Sequence, residues 1–256
     1  MPGSKTILIT GAGSGVGRGL CQHFAARGLQ VIASDANPEA AEETARIGHD
    51  SGHSVRALTL DVTRQPDIEV AIGNLPDRRV DILINNAGLQ HVAKLEEFPP
   101  EKWNLLIDIM LNGPAWMTRA VLPGMKARNF GRIVNIGSIH SLIGSPFKSA
   151  YVAAKHGLLG LSKVVALETA EWNITINTIC PSYIRTPLVD SQIKNQAQAH
   201  KISEAEVIEK IMLKPMPKKK FIGIEEVAAT TEFLCSDAAR NITGQSIAID
   251  GGWTAQ

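Results

Sequence analysis

Tyr151 and Lys155 stand four residues apart, the spacing that brings two side chains to one face of a helix. A phenol is a poor base near neutrality, with an ordinary pKa of about 10. A neighbouring ammonium favours the phenolate and lowers that value. The pair therefore offers proton exchange with a substrate hydroxyl. Only two tyrosines occur in the chain, Tyr151 and Tyr183. Ser138 follows the apolar run Arg132-Ile-Val-Asn-Ile136 and adds a hydroxyl that can bond the same substrate oxygen while Tyr151 exchanges the proton. Alone, a Tyr-x-x-x-Lys pair is most often a solvated helix face. Together with Ser138 and the glycine-rich turn near the start of the chain, it reads as a reaction centre.

That turn is Thr10-Gly-Ala-Gly-Ser-Gly-Val-Gly-Arg-Gly19, with glycines spaced GxxxGxG at Gly11, Gly15 and Gly17. It follows a strand-like run and opens a helix-like one. Backbone N–H groups at a helix N-terminus favour phosphate oxygens, and glycines let the backbone approach them closely. Asp35 closes the second strand-like run, where a carboxylate can accept hydrogen bonds from both adenosine ribose hydroxyls and repel a 2′-phosphate. Ser14 stands before Gly15 where a base could have paired with that phosphate, so the sequence favours NAD over NADP. Asp61-Val62, after the third strand-like run, could hold the adenine edge, and an N-cap is an equal reading of Asp61.

These groups need a scaffold, and the apolar pattern predicts one. Strands are expected over 5–10, 30–34, 54–60, 80–84, 132–136, 174–180 and 246–249, and helices over 15–28, 38–48, 101–128, 149–171 and 225–235. Gly113-Pro114 should interrupt the 101–128 stretch. Near-continuous apolar strands alternating with helices predict an α/β, doubly wound parallel sheet with helices on both faces. Residues 1–256 read as one domain, and the polar stretch 182–223 as a helical lid insertion. Lys plus Arg is 26 and Asp plus Glu is 25, a balance that offers no footprint for nucleic acid. No apolar stretch approaches a membrane span, and the start of the chain is too briefly apolar for a signal peptide. Cys21, Cys180 and Cys235 are scattered and form no metal or disulfide pattern, so a cytoplasmic protein without metal is expected.

The sequence resembles the short-chain dehydrogenase/reductase family over essentially its whole length. The resemblance rests on Thr10-Gly11-x-x-x-Gly15-x-Gly17, Asn85-Asn86-Ala87-Gly88, Ser138, Tyr151-x-x-x-Lys155, Pro181-x-x-x-x-Thr186 and the ending Thr243-Gly244-Gln245…Asp250-Gly251-Gly252. It implies a Rossmann-like fold and hydride exchange between carbinol and carbonyl, with Ser138, Tyr151 and Lys155 catalytic. It also implies a nicotinamide cofactor held by Gly11, Ser14, Gly15, Val16, Gly17, Asp35, Asp61, Val62, Asn86, Ala87, Gly88, Tyr151, Lys155, Pro181, Ile184 and Thr186.

A narrower similarity is to the family's 3-hydroxybutyrate-oxidising branch, through 86–91, 149–157, 166–170 and 251–254. It implies a small hydroxy or keto acid substrate held by Gln90, His140, Lys148 and Gln192 beside Ser138 and Tyr151, and a homotetramer with Trp253 near a subunit contact. Lys148 would supply charge and the other three donors for a carboxylate. Two departures stand out. Met110 occupies the place where the family usually has an Asn whose main-chain carbonyl serves a proton relay. Tyr183 stands where the nearest branch carries Trp. A dehydrogenase for another small hydroxy compound, a 3-oxoacyl reductase and a non-catalytic nucleotide-binding protein remain alternative readings.

Overall fold

The computed structural model describes residues 4–255. Strand and helix alternate along it: β1 (Thr6–Thr10), α1 (Gly15–Ala25), β2 (Gln30–Asp35), α2 (Pro38–Asp50), β3 (Val55–Thr59), α3 (Gln65–Gly73), β4 (Ile82–Asn85), α4 (Pro100–Ile107), α5 (Gly113–Ala127), β5 (Gly131–Ile136), α6 (Ser149–Glu168) and β6 (Ile174–Pro181). The stretch 182–223 carries α7 (Pro187–His200) and α8 (Glu204–Val207), and α9 (Ile224–Cys235) and β7 (Ser246–Ile249) complete the order. The strands pair in parallel, in the order β3-β2-β1-β4-β5-β6-β7. This is the doubly wound Rossmann-like arrangement. Its order reverses between β1 and β4, which opens a crevice at their C-terminal ends.

Both faces of the sheet are covered, so its strands need apolar side chains on both sides. Ile7 and Ile9 of β1 face α1 and α9 through Leu20, Phe24, Val227 and Leu234. Leu8 points the other way, into a cluster with Ile68 and Ile72 of α3 and Met117, Val121 and Met125 of α5. The stretch 182–223 buries a small apolar cluster of its own, centred on Val189, Ile193, Val207 and Met212.

Two features differ from the expectations. Helix α3 matches no expected element: only Ile68 and Ile72 of its nine residues are buried, and Pro66 reads as turn punctuation. The interruption in the 101–128 stretch falls at Asp108–Asn112, one turn before Gly113-Pro114, where the backbone loosens into a π-turn and Gly113 N–H bonds the Asp108 carbonyl. The cause is nevertheless Pro114. It has no N–H to give the Met110 carbonyl, the bond an α-helix would make there.

Candidate active site

The glycine turn joins β1 to α1 with Gly11 at φ +61 and Gly15 at φ +50, both in the left-handed region that disfavours a Cβ. A Cβ on Gly17 would sit 2.2 Å from the Gly11 carbonyl oxygen, so only glycine fits there. Asn86 fixes the turn from β4, its Nδ2 donating to the carbonyls of Thr10 at 2.9 Å and Gly11 at 3.0 Å. The first turn of α1 has neither an acidic residue nor a side-chain cap, because Ser14 makes no capping bond. Its N–H groups are thus left to an outside anion, as a pyrophosphate site requires. Asp35 stands at the end of β2 with its carboxylate accepting from Gly13 N–H at 2.8 Å and Asn37 N–H at 2.9 Å. Thr186, the N-cap of α7, stands over the turn from the other side, 3.5 Å from where a Cβ of Gly15 would be. These residues fit a dinucleotide.

One cavity of about 420 Å³ runs from this turn past the ends of β4, β5 and β6. Of the expected cofactor residues its wall contains Gly11, Ser14, Gly15, Val16, Asp35, Asn86, Gly88, Tyr151, Lys155, Pro181, Ile184 and Thr186. Gly17, Asp61, Val62 and Ala87 lie outside the wall. Gly17 packs under Gly11. The Asp61 carboxylate accepts from the N–H and hydroxyl of Thr63, closing a local turn, and Val62 packs in the apolar cluster under α3 and α5. Ala87 N–H bonds the Thr10 hydroxyl at 3.1 Å.

Every expected catalytic and substrate residue lines the same cavity: Ser138, Tyr151 and Lys155, then Gln90, His140, Lys148 and Gln192. Ser138 begins a short 3₁₀ turn, Ile139–Ser141, just beyond β5, and its Oγ accepts from His140 N–H at 3.1 Å. Tyr151 and Lys155 share one face of α6. Lys155 is buried, and its Nζ donates to the Ile136 carbonyl at 2.6 Å. Burial lowers the lysine to about 8. The sequence led us to expect Lys155 to depress Tyr151. Instead Tyr151 lies above its ordinary value: loss of solvent raises it more than the facing Ser138 hydroxyl lowers it. The Lys155 ammonium is engaged at Ile136, 5.8 Å from the phenol ring centre, which explains the difference.

The opposite wall is cationic. Lys148 Nζ lies 3.4 Å from His140 Nε2. Burial and then the lysine charge hold His140 down at about 4, so it is neutral. A lysine ammonium only donates, so Nε2 accepts from it. That atom is not the free donor the sequence suggested. Gln90 turns its Oε1 to His91 N–H at 3.1 Å, leaving its amide N–H groups. The Gln90 and Lys148 loops are joined by Ala93 N–H to the Phe147 carbonyl at 3.0 Å, and Phe147 holds a left-handed φ of +66. Within its own chain Trp253 packs 5.9 Å from the His140 ring and 6.0 Å from the Tyr183 ring.

Sequence reasoning missed several wall residues, among them Leu89, Ile136, Ile139 and Val189. They are ordinary apolar residues with no motif to mark them; only their positions after β4, at β5 and in α7 do so. Met110 also lines the wall and is 1% exposed. Asn112 lies outside it, donating to Asp108 Oδ1 at 2.7 Å.

Residues 5–197 match the short chain dehydrogenase family, and the chain belongs to that family of oxidoreductases. It is 44% identical to the D-beta-hydroxybutyrate dehydrogenase of Rhizobium meliloti (strain 1021), over 99% of this chain and 100% of that one. It is 40% identical to the protein of the same name from Cupriavidus necator, over 100% of both chains. Among solved structures it superimposes with a TM-score of 0.93 on a variant actinorhodin polyketide ketoreductase with NADPH, at 30% identity over 99% of this chain and 98% of that chain.

Proposed function

We propose that this protein reversibly oxidises (R)-3-hydroxybutyrate to acetoacetate with NAD. The observation that carries the reading is the Lys148–His140–Gln90 wall facing Ser138 and Tyr151 across one cavity. A lysine fixed by a neutral imidazole is a compact cationic anchor for a small carboxylate. It sets the distance from carboxylate to reacting carbinol. The two D-beta-hydroxybutyrate dehydrogenases similar over their full lengths support the same substrate.

The dinucleotide would be held by the α1 N-terminus and glycine turn at the pyrophosphate, Asp35 at the adenosine ribose, and Lys155 and Thr186 at the nicotinamide end. When bound, it supplies a hydride acceptor. The Asp35 carboxylate, anchored by two backbone N–H groups, disfavours a 2′-phosphate and so selects NAD. Ser138 donates to the substrate oxygen, and Tyr151 Oη takes the carbinol proton. Lys155 holds positive charge beside the phenol. Gln192, on α7, closes the carboxylate end, and the stretch 182–223 acts as a lid that excludes water.

The test is NADH formation, followed by absorbance, when the purified protein meets NAD and either enantiomer of 3-hydroxybutyrate. Fast turnover of the (R) form alone is expected. No turnover of either enantiomer, with NAD still bound, overturns the substrate assignment.

A further inference from the structure

Ser141 does not line the cavity, yet it closes the turn on which Ser138 and His140 are mounted. Its N–H donates to the Ser138 carbonyl at 2.8 Å, and its Oγ accepts from Ser138 N–H at 3.1 Å. Ser138 Oγ in turn accepts from His140 N–H at 3.1 Å. Three consecutive bonds therefore lock four residues, all of them buried. The Ser141 hydroxyl fills space left by glycine: a Cβ on Gly137 would come within 2.9 Å of it. Gly137 N–H itself donates to the Ile179 carbonyl of β6 at 2.7 Å, so the start of the turn is tied to β6 beside the reaction centre.

A serine hydroxyl rotates freely unless a neighbour fixes it. The His140 N–H occupies one lone pair of Ser138 Oγ and so directs the O–H away from the backbone, towards the cavity. That arrangement holds only while the turn is closed. Replacing Ser141 by Ala keeps its backbone bond but leaves the Ser138 N–H buried without an acceptor, an unfavourable state that the turn relieves by opening.

We propose that Ser141 is a positioning residue for this oxidoreductase: by accepting from Ser138 N–H it aims the Ser138 hydroxyl at the reacting oxygen. The assignment rests on the dehydrogenase reading above. No proton or hydride passes through Ser141 itself.

The experiment compares Ser141→Ala, Ser141→Thr, Ser138→Ala and the Ser138→Ala/Ser141→Ala double variant with the wild type, using NAD and (R)-3-hydroxybutyrate. Ser141→Ala should lower kcat about tenfold and leave KM for NAD within about twofold, with a larger primary isotope effect on substrate deuterated at C3. Ser141→Thr, which keeps the hydroxyl, should recover most of the rate. In the Ser138→Ala background the Ser141 change should cost nothing further, because its effect runs through Ser138. An unchanged kcat in Ser141→Ala overturns the proposal, as does an equal loss in both backgrounds. If the wild type does not turn over this substrate, the substrate reading fails by itself and hydrogen exchange decides the positioning role. Exchange of the Ser138 amide at least about tenfold faster in Ser141→Ala supports it, and unchanged exchange overturns it.

Discussion

Lys148 directs its ammonium at the imidazole of His140, with Nζ 3.4 Å from Nε2. Because the lysine can only donate, the histidine must accept, and it can do so only when neutral. Burial and the lysine charge both enforce that state. The pair thus carries one positive charge with its direction fixed, which a small carboxylate can meet without finding a second mobile cation. Under the proposed function, Lys148 binds the carboxylate and His140 orients the lysine.

Lys148→Met should therefore raise KM for the hydroxy acid by roughly 10- to 100-fold, the loss of a charge-assisted bond worth about 1.5–3 kcal/mol. NAD affinity should hardly move. Steady-state kinetics with each substrate varied in turn checks this. An equal rise in both KM values would place Lys148 outside the carboxylate site.

The neutral His140 also sets a pH dependence of stability. Folded, it takes its proton near pH 4; unfolded, near 6.5. Above 6.5 both states are neutral and the group adds nothing to the pH dependence. As pH falls from 6.5 to 4, the unfolded chain binds a proton that the folded chain refuses, and stability is lost, on the order of 2–3 kcal/mol in all. Thermal denaturation at intervals from about pH 7 to 4 should show this decline for the wild type and a shallower one for His140→Gln.

In the proposed reading Asp35 bears the cofactor preference. Asp35→Ser removes the charge that would repel a 2′-phosphate and keeps a short side chain at the end of β2. The ratio of kcat/KM for NAD to that for NADP should fall at least about tenfold, mostly through better use of NADP, about 1.4 kcal/mol of discrimination. Initial rates with the two cofactors measure the ratio directly, and an unchanged ratio would show that selection lies elsewhere in the turn.

How much of this the sequence revealed depends on what each feature rests upon. The strands were readable because a sheet covered on both faces demands continuous apolar runs, and Ile7-Leu-Ile9 or Ile82-Leu-Ile84 cannot be hidden in any other way. The glycine turn and the Tyr151–Lys155 pair were readable because they are constrained by type and spacing. Helix α3 was not, since two buried isoleucines and a proline make a weak periodic signal. The π-turn at Asp108–Asn112 was misplaced by one turn because Pro114 removes a bond from a residue four positions earlier. Ser141 and the direction of the Lys148–His140 bond were invisible: both are tertiary facts about which hydroxyl or nitrogen meets which neighbour.

The last prediction concerns the proton. Tyr151 lies above its ordinary value through burial, and Ser138, His140, Tyr183, Cys180 and Lys155 are the polar or titratable groups facing it. Burial holds Lys155 at about 8. In the proposed mechanism oxidation needs the phenolate together with a charged Lys155, so its kcat/KM should climb about tenfold per pH unit up to about pH 8, where the gain in phenolate meets the loss of ammonium and the profile levels off. Reduction needs the phenol and the same ammonium. Its rate should stay flat from about pH 6 to about 8 and then fall. Lys155→Met should remove the break near pH 8 from both profiles as well as slowing the reaction, whereas Tyr151→Phe should cost roughly 10²–10⁴-fold at every pH. Profiles in which oxidation is already flat at about pH 7 would mean that Tyr151 loses its proton far more readily than its burial allows, and that Lys155 acts on the phenol directly despite its bond to the Ile136 carbonyl.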